Sequence, residues 1–378
     1  VKATVVALDG LLLGGRHTGV ENAILNLARA LREDPGGCDV HITVPAGPTA
    51  DELDGGGLRV HRVGAGRRGR LRRILWEQTR LPRFARSVGA NVLHCPGYVM
   101  PVRYRGPSVL TVYDVLALQR PQWCARLNVA HYRALMPASI RNASVVVAPA
   151  QAVKDDLLEA VPVPPEKVRV VPLGVSPEYR RVTDEEQRAE VRKRHELPAR
   201  FILTVGNIEP KKNLGGMVEA YDGIAADCPA DLVIAGGVGW RCEATLAALA
   251  KAKHKRRIHC LGYVPQDDMP TLLSLADALV QWSLYEGFGL PPLEAMNCGT
   301  PVIVSDGGAL PEVVGDAGVV APLADGSAGL GEAIARLLGD KALRRGYTER
   351  GIERAAQFTW RRHAGIVTGL YREVAGAV

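Results

Sequence analysis

Short β-branched runs alternate with longer helical patterns twice over, and this rhythm limits the possible folds more than any other feature of the chain. In the first series, strands are predicted at 4–8, 40–44, 58–63, 91–94, 108–112, 145–148 and 168–171, with helices near 71–86, 126–140 and 151–159. A further helix follows the first strand, where Val20, Ala23, Ile24, Leu27 and Leu31 share one face. The second series runs through strands at 201–205, 231–235, 257–261, 277–281 and 301–305. Strand–helix alternation implies parallel sheets covered by helices on both faces, here two of them. The expected class is therefore α/β, with one domain over 1–175 and another over 200–357. The pattern lapses over 176–199, which reads as a linker, and a last helix within 358–378 begins after Thr359 as its cap.

At 378 residues the chain exceeds what one ordinary core fills. Its 47% hydrophobic and 23% charged residues match a globular protein, and no apolar run reaches the ~20 residues of a spanning helix. The opening VKATVVALDG reads as a strand rather than a secretory signal. The 7 cysteines are scattered, with no Cys-x-x-Cys pair. They argue for reduced thiols in a cytoplasmic compartment, and against a disulfide framework or a zinc site. The net charge of +7 favours anionic partners. Residues 67–86 hold eight arginines against one glutamate, and Leu71, Ile74, Leu75 and Leu81 give that stretch an apolar helical face near Trp76 and Phe84. Two readings stay open there: an anionic membrane surface as partner, or a solvated surface helix. Aromatics are sparse and no nucleic-acid module appears, so nucleic acid is not expected.

The chemistry concentrates just after strands. Tyr285–Met296 (YEGFGLPPLEAM) is a glycine-rich turn leading into a helix near Pro291 and Pro292, the arrangement that receives phosphate oxygens. Within it Glu286 and Glu294 stand eight positions apart, flanking Phe288, Gly289 and Leu290. A carboxylate accepts two hydroxyl hydrogen bonds at once, which suits a vicinal diol such as a ribose. Glu294 taken singly is equally an acid favoured by the dipole of a first helical turn. After the 201–205 strand, Asn207 and the adjacent Lys211 and Lys212 stand where a diphosphate would be neutralised, or where lysines are merely solvated. Gly307 and Gly308 follow the 301–305 strand and allow close backbone approach to an anion, or form a plain tight turn. Gly15 and Gly19 lie in a similar turn of the first domain.

One motif points elsewhere. Gly64–Gly69 (GAGRRG) matches the dinucleotide fingerprint after a strand, so an NAD-dependent oxidoreductase is an alternative. Its two arginines, its place on a later strand and the lack of an acid ~20 residues on weigh against it. No Asp-x-Asp pair occurs for holding a divalent ion on a sugar nucleotide, which leaves a donor site without metal or other cofactor, its charge met by lysines and helix termini.

Together these motifs resemble family four of the retaining glycosyltransferases, over nearly the whole chain. The resemblance lies in the E-x7-E motif of Glu286 and Glu294, in TPVIVSDGGALPEVVGDAG, in GNIEPKKNL, in the N-terminal GGRHTGVENAILNLARAL, and in VLHCPGYVMP and VRVVPLGV. It implies the GT-B fold: two Rossmann-like, doubly wound domains facing a cleft, with the C-terminal helix crossing back to the N-terminal domain. It implies transfer of a hexose, mannose first, from a GDP-mannose or UDP-glucose type donor to a glycan, lipid-linked or small-molecule acceptor. Carried over by position, Glu294 binds the donor ribose, Glu286 contacts the transferred sugar, and Lys212 with Lys211 neutralises the departing diphosphate. Gly15 or Gly19, Gly307 and Gly308 supply amides. His17, His94, Tyr113 and Asp114 are the acceptor or sugar-binding candidates. Asn207 stands where many members carry arginine, and Tyr113 where a histidine often precedes the aspartate. A binding protein that keeps this fold without turnover is the remaining alternative. The expected location is the cytoplasm, peripheral at the inner face of the membrane.

Overall fold

The computed structural model describes residues 4–14, 18–64 and 69–376. The chain forms two compact units, one of residues 1–174 with 359–378, the other of residues 175–358. Unit 1 is built on a parallel sheet of β1 (Thr4–Asp9), β2 (Cys38–Pro45), β3 (Leu58–Val63), β4 (Val92–Cys95), β5 (Ser108–Thr111), β6 (Val145–Ala148) and β7 (Val168–Val170). Its order is β3-β2-β1-β4-β5-β6-β7. Unit 2 is built on β8 (Phe201–Val205), β9 (Asp231–Ala235), β10 (Ile258–Gly262), β11 (Ala278–Gln281), β12 (Val302–Val304) and β13 (Val319–Val320), parallel in the order β10-β9-β8-β11-β12-β13. Helices cover both faces, so central strands such as β6 are buried along their whole length and carry unbroken β-branched residues. Both units have the doubly wound, Rossmann-like topology.

Each unit packs its own core. Unit 1 buries Leu93, Leu110, Val146 and Val168 with Met136 and Ile140. Unit 2 buries Met217, Tyr221, Leu232, Ile234, Val280 and Leu337 around Trp282, whose indole N–H donates to the Ala321 carbonyl at 2.9 Å. The final helix, Trp360–Gly376, follows Thr359, whose hydroxyl accepts the Arg362 amide. That helix belongs to unit 1 and buries Trp360, Ala364, Val367, Leu370 and Tyr371 there.

Three expectations need correction. The stretch 176–199 is part of unit 2: Glu185–Arg194 is a helix capped by Asp184, and Arg194 and His195 both reach the buried Asp268, at 2.6 and 2.8 Å. The single helix expected over 71–86 is two, Arg70–Thr79 and Leu81–Ser87. Pro82 has no amide hydrogen and its ring would crowd the carbonyl of Gln78 in a continuous helix. The apolar face read there is met only in part, since Leu81 is buried but Leu71 and Leu75 are exposed while Glu77 is buried. Among the described residues, no helix is long and apolar enough to cross a membrane.

Candidate active site

In unit 2 the chain leaves β8 toward β9 and leaves β11 toward β12, on opposite sides of two neighbouring strands. Such a switch point opens a crevice at the carboxyl ends of the strands, where ligands bind in open α/β sheets. The loops that follow β8 and β11 meet there. A short helical turn, Pro210–Lys212, is closed by Asn213 at φ +50, and the Lys211 carbonyl accepts the Leu284 amide at 2.7 Å. This stitch brings the lysines to the acid. Lys212 Nζ lies 2.6 Å from Glu286 Oε1, and Lys211 Nζ lies 3.8 Å from Glu286 Oε2.

Glu286 is 7% exposed and rests in a nest of donors. Its Oε1 also accepts from Ser283 Oγ at 2.7 Å and Gln281 Nε2 at 3.1 Å. Burial pushes the carboxyl up, but the charges of Lys212 and Lys211 and these hydrogen bonds outweigh it and hold it at about 2. Gln281, Ser283 and the buried Glu209, 3.9 Å from Lys211, are site residues the motifs did not flag. The available signal was a polar Gln and Ser ending an otherwise apolar strand run, DALVQWS.

The Gly307–Gly308 turn after β12 lies against this acid. Glu286 pairs with Gly308 in a parallel bridge, donating its amide to the Gly307 carbonyl at 3.3 Å and accepting the Ala309 amide at 2.9 Å. A Cβ at Gly307 would stand 2.6 Å from the Ser283 carbonyl oxygen, and one at Gly308, at φ +67, would stand 2.4 Å from that of Glu286. Glycine is required here by close packing of backbone. The Gly307 amide is not available to a phosphate as expected, because it donates to Ser305 Oγ at 3.2 Å. Gly308 remains the candidate donor of this turn.

Glu294 sits in the helix Leu290–Asn297, which begins after Gly289 at φ +117. It is the fifth residue, not in the first turn as expected, so the helix dipole gives no account of it. The side chain is half-buried, and its carboxylate accepts no hydrogen bond among the described residues. Burial, with the charge of Glu178, pushes it up to about 8. An unpartnered acid in such a place is ready to receive donors. Leu290 opens the helix and Phe288 is buried edge-on against Phe358, a packing contact rather than a free surface for the donor. Asn207 is exposed in the turn after β8.

In unit 1, Gly15 and His17 lie outside the described residues. Gly19 is the first residue of the helix Gly19–Glu33, whose capping box pairs Thr18 with Glu21. The ligand role expected of His94 is dropped: the ring is fully buried, Nδ1 lies 2.6 Å from Tyr371 Oη and Nε2 lies 3.0 Å from Thr111 Oγ1. Burial presses that imidazole down to about 3, so it stays neutral. Asp114 accepts from Tyr98 Oη at 3.0 Å and from the Leu116 amide at 3.1 Å, which ties its carboxylate to the loop it belongs to. Tyr113 stacks edge-on against Tyr98, which packs on Tyr132 in turn, and burial pushes the Tyr113 phenol up. The Gly64–Gly69 turn, whose residues 65–68 lie outside the described ones, follows β3, the edge strand of the sheet. A dinucleotide fingerprint serves the central strand beside the switch point, so this match corrects to coincidence.

Residues 184–354 match the family model for glycosyl transferases group 1, and residues 17–179 match that for Glycosyltransferase Family 4. O-antigen chain mannosyltransferase B of Escherichia coli is 30% identical over 271 residues, 71% of each chain. Alpha-D-kanosaminyltransferase of Streptomyces kanamyceticus is 27% identical over 351 residues, 88% of each. Sucrose-phosphate synthase from Thermosynechococcus elongatus superposes with a TM-score of 0.77 at 22% identity, covering 99% of this chain and 100% of that one. The chain belongs to family 4 of the glycosyltransferases and is a glycosyltransferase.

Proposed function

We propose that the enzyme is a retaining hexosyltransferase that works without a metal ion, taking mannose from GDP-mannose as first choice, with UDP-glucose type donors next. The observation that carries this reading is the Lys212–Glu286 contact of 2.6 Å, with Lys211 beside it, at the switch point of unit 2. Breaking the anomeric bond leaves an oxocarbenium-like sugar and places negative charge on the departing diphosphate. Lys212 and Lys211 answer that charge, and the Gly308 amide adds a fixed donor. Glu286 takes hydroxyls of the transferred sugar, and the unpartnered Glu294 takes the ribose diol. Mannose is favoured by the likeness to the O-antigen chain mannosyltransferase.

The acceptor, a glycan, lipid-linked or small-molecule alcohol, binds on unit 1 near Tyr113 and Asp114. The exposed Leu71 and Leu75, with Arg72, Arg80, Arg83 and Arg86, rest on an anionic membrane at its cytoplasmic face. A nucleotide-sugar panel followed by NMR of the product's anomeric configuration tests the chemistry. GDP-mannose is expected to give an α-linked product, and an inverted anomeric centre would overturn retention. Glu294→Ala is expected to weaken nucleotide binding and Lys212→Ala to slow transfer. Unchanged donor affinity and turnover in both variants would remove the assigned roles. Sedimentation with vesicles that does not depend on anionic lipid would remove the membrane contact.

A further inference from the structure

The helix Arg70–Thr79 packs Trp76 on the core of unit 1 but turns two leucines outward and two charged residues inward. Leu71 is 83% exposed and Leu75 64%, while Glu77 is buried and Arg73 largely so. A surface helix ordinarily turns its leucines inward, so a polar inner face has its own purpose. Between this helix and Arg126–Asn142 lies a cavity of about 230 Å³, lined by Gly69, Arg70, Arg73, Asn128 and Tyr132. That is several times the ~30 Å³ share of one water. It stands on the carboxyl-end side of the unit 1 sheet, since Gly69 follows β3, and Asp9, the last residue of β1, is coupled electrostatically to Arg73 and Glu77.

The walls carry excess positive charge. Burial raises Asp9 to about 6, and burial with the charge of Asp9 raises Glu77 to about 8. Among the described lining residues two are arginines and none is acidic. Arg70 Nη1 donates to the neutral Asn128 Oδ1 at 2.6 Å. Arg73 Nε lies 3.2 Å from Glu77 Oε1, yet it is buried and makes no hydrogen bond. Burial and the charges of Arg70 and Arg73 hold the neighbouring His131 down at about 4, so it stays neutral and leaves the field to the arginines. Tyr132 lines the cavity beside them. Planar guanidinium forks beside a phenol match the oxygens of a phosphate.

Leucines mark where such a ligand continues. Leu71 and Leu127, the latter 75% exposed, adjoin the two residues of the Arg70–Asn128 hydrogen bond. We propose that this cavity holds the phosphate of the glycosyl acceptor, and that an apolar chain esterified to that phosphate runs out over Leu71, Leu75 and Leu127. The inference rests on unit 1 being the acceptor side.

Calorimetry on the full chain with farnesyl phosphate, inorganic phosphate and farnesol tests it, with a nucleoside diphosphate titrated in parallel. Farnesyl phosphate is expected to bind more tightly than either fragment. Arg73→Gln, Arg73→Lys and Arg70→Gln should each weaken it, Arg73→Gln by about tenfold or more. Leu71→Ser with Leu127→Ser should weaken farnesyl phosphate and leave inorganic phosphate unchanged. Retained nucleoside diphosphate affinity shows that the variants fold. Loss of nucleotide affinity in Arg73→Lys or Arg70→Gln would move the cavity to the donor site and overturn the proposal. Farnesol competing as well as its phosphate would overturn it too, and anionic-vesicle binding that falls with Arg73→Gln would overturn it in favour of a membrane headgroup site. Binding of farnesyl phosphate without binding of any nucleoside diphosphate would leave the cavity standing and remove the donor assignment alone.

Discussion

Without its ammonium partner at position 212, the Glu286 carboxylate would stay buried with only Lys211 and the neutral donors of Ser283 and Gln281 around it. Breaking a buried pair from one side leaves an uncompensated charge, so Lys212→Ala is expected to cost on the order of 3 kcal/mol in urea denaturation. Adding Glu286→Gln should recover part of that loss. The same pair sets an acid limit. Glu286 is held below its ordinary value, at about 2, so its contribution is complete above the ordinary carboxylate pKa near 4.5 and fades as pH falls toward 2. Glu286→Gln should therefore lose less stability than the parent between those values. Glu294 behaves oppositely: raised to about 8, it favours the fold when protonated, and that benefit is lost as pH rises through 8. If its ionised form receives the ribose hydroxyls, nucleoside diphosphate binding near pH 7 should release a proton. Calorimetry in buffers of differing ionisation enthalpy reads this, and Glu294→Gln should abolish the release. The contact of Lys211 and Lys212 with Glu286 joins two motifs visible in the sequence, whereas Gln281 and Ser283 showed there only as polar residues ending an apolar run, and the fold shows that they are buried together.

At the scale of elements, the turn after β12 fixes the turn after β11 through backbone alone. Gly308→Ala would put a side chain into the Glu286 carbonyl at a left-handed φ, with a penalty of roughly 1–3 kcal/mol. The expected result is a lower melting temperature together with slower transfer, since the loop carrying Glu286 must shift; an unchanged melting temperature would argue against this contact. Strands were readable because burial on both faces demands unbroken apolar runs, as in Val145–Ala148 and Phe201–Val205. The two-residue Val319–Val320 is too short to show any period. The helical stretch after residue 70 misled for a different reason. Periodicity finds an apolar face but not which face turns inward, and here Arg73 and Glu77 took the inner one. The charged run at 185–194 likewise hid a packed helix, because its anchor, Asp268, is distant in sequence.

On the scale of the molecule, each unit has its own core, and the chain enters unit 1 twice. Removing residues after Phe358 should strip unit 1 of Val367, Leu370 and Tyr371 and leave His94 Nδ1 without its partner. Hydrogen exchange should then show lost protection in β1, β4 and β5 with that of unit 2 retained; equal loss in both would contradict two separate cores. During synthesis this arrangement inverts the usual sequence of completion. Ribosomes make the seven strands of unit 1 first, yet the helix that seals them emerges only after all of unit 2. The earliest-made half must wait with an apolar groove open to water or to chaperones, while the later-made half can finish folding ahead of it.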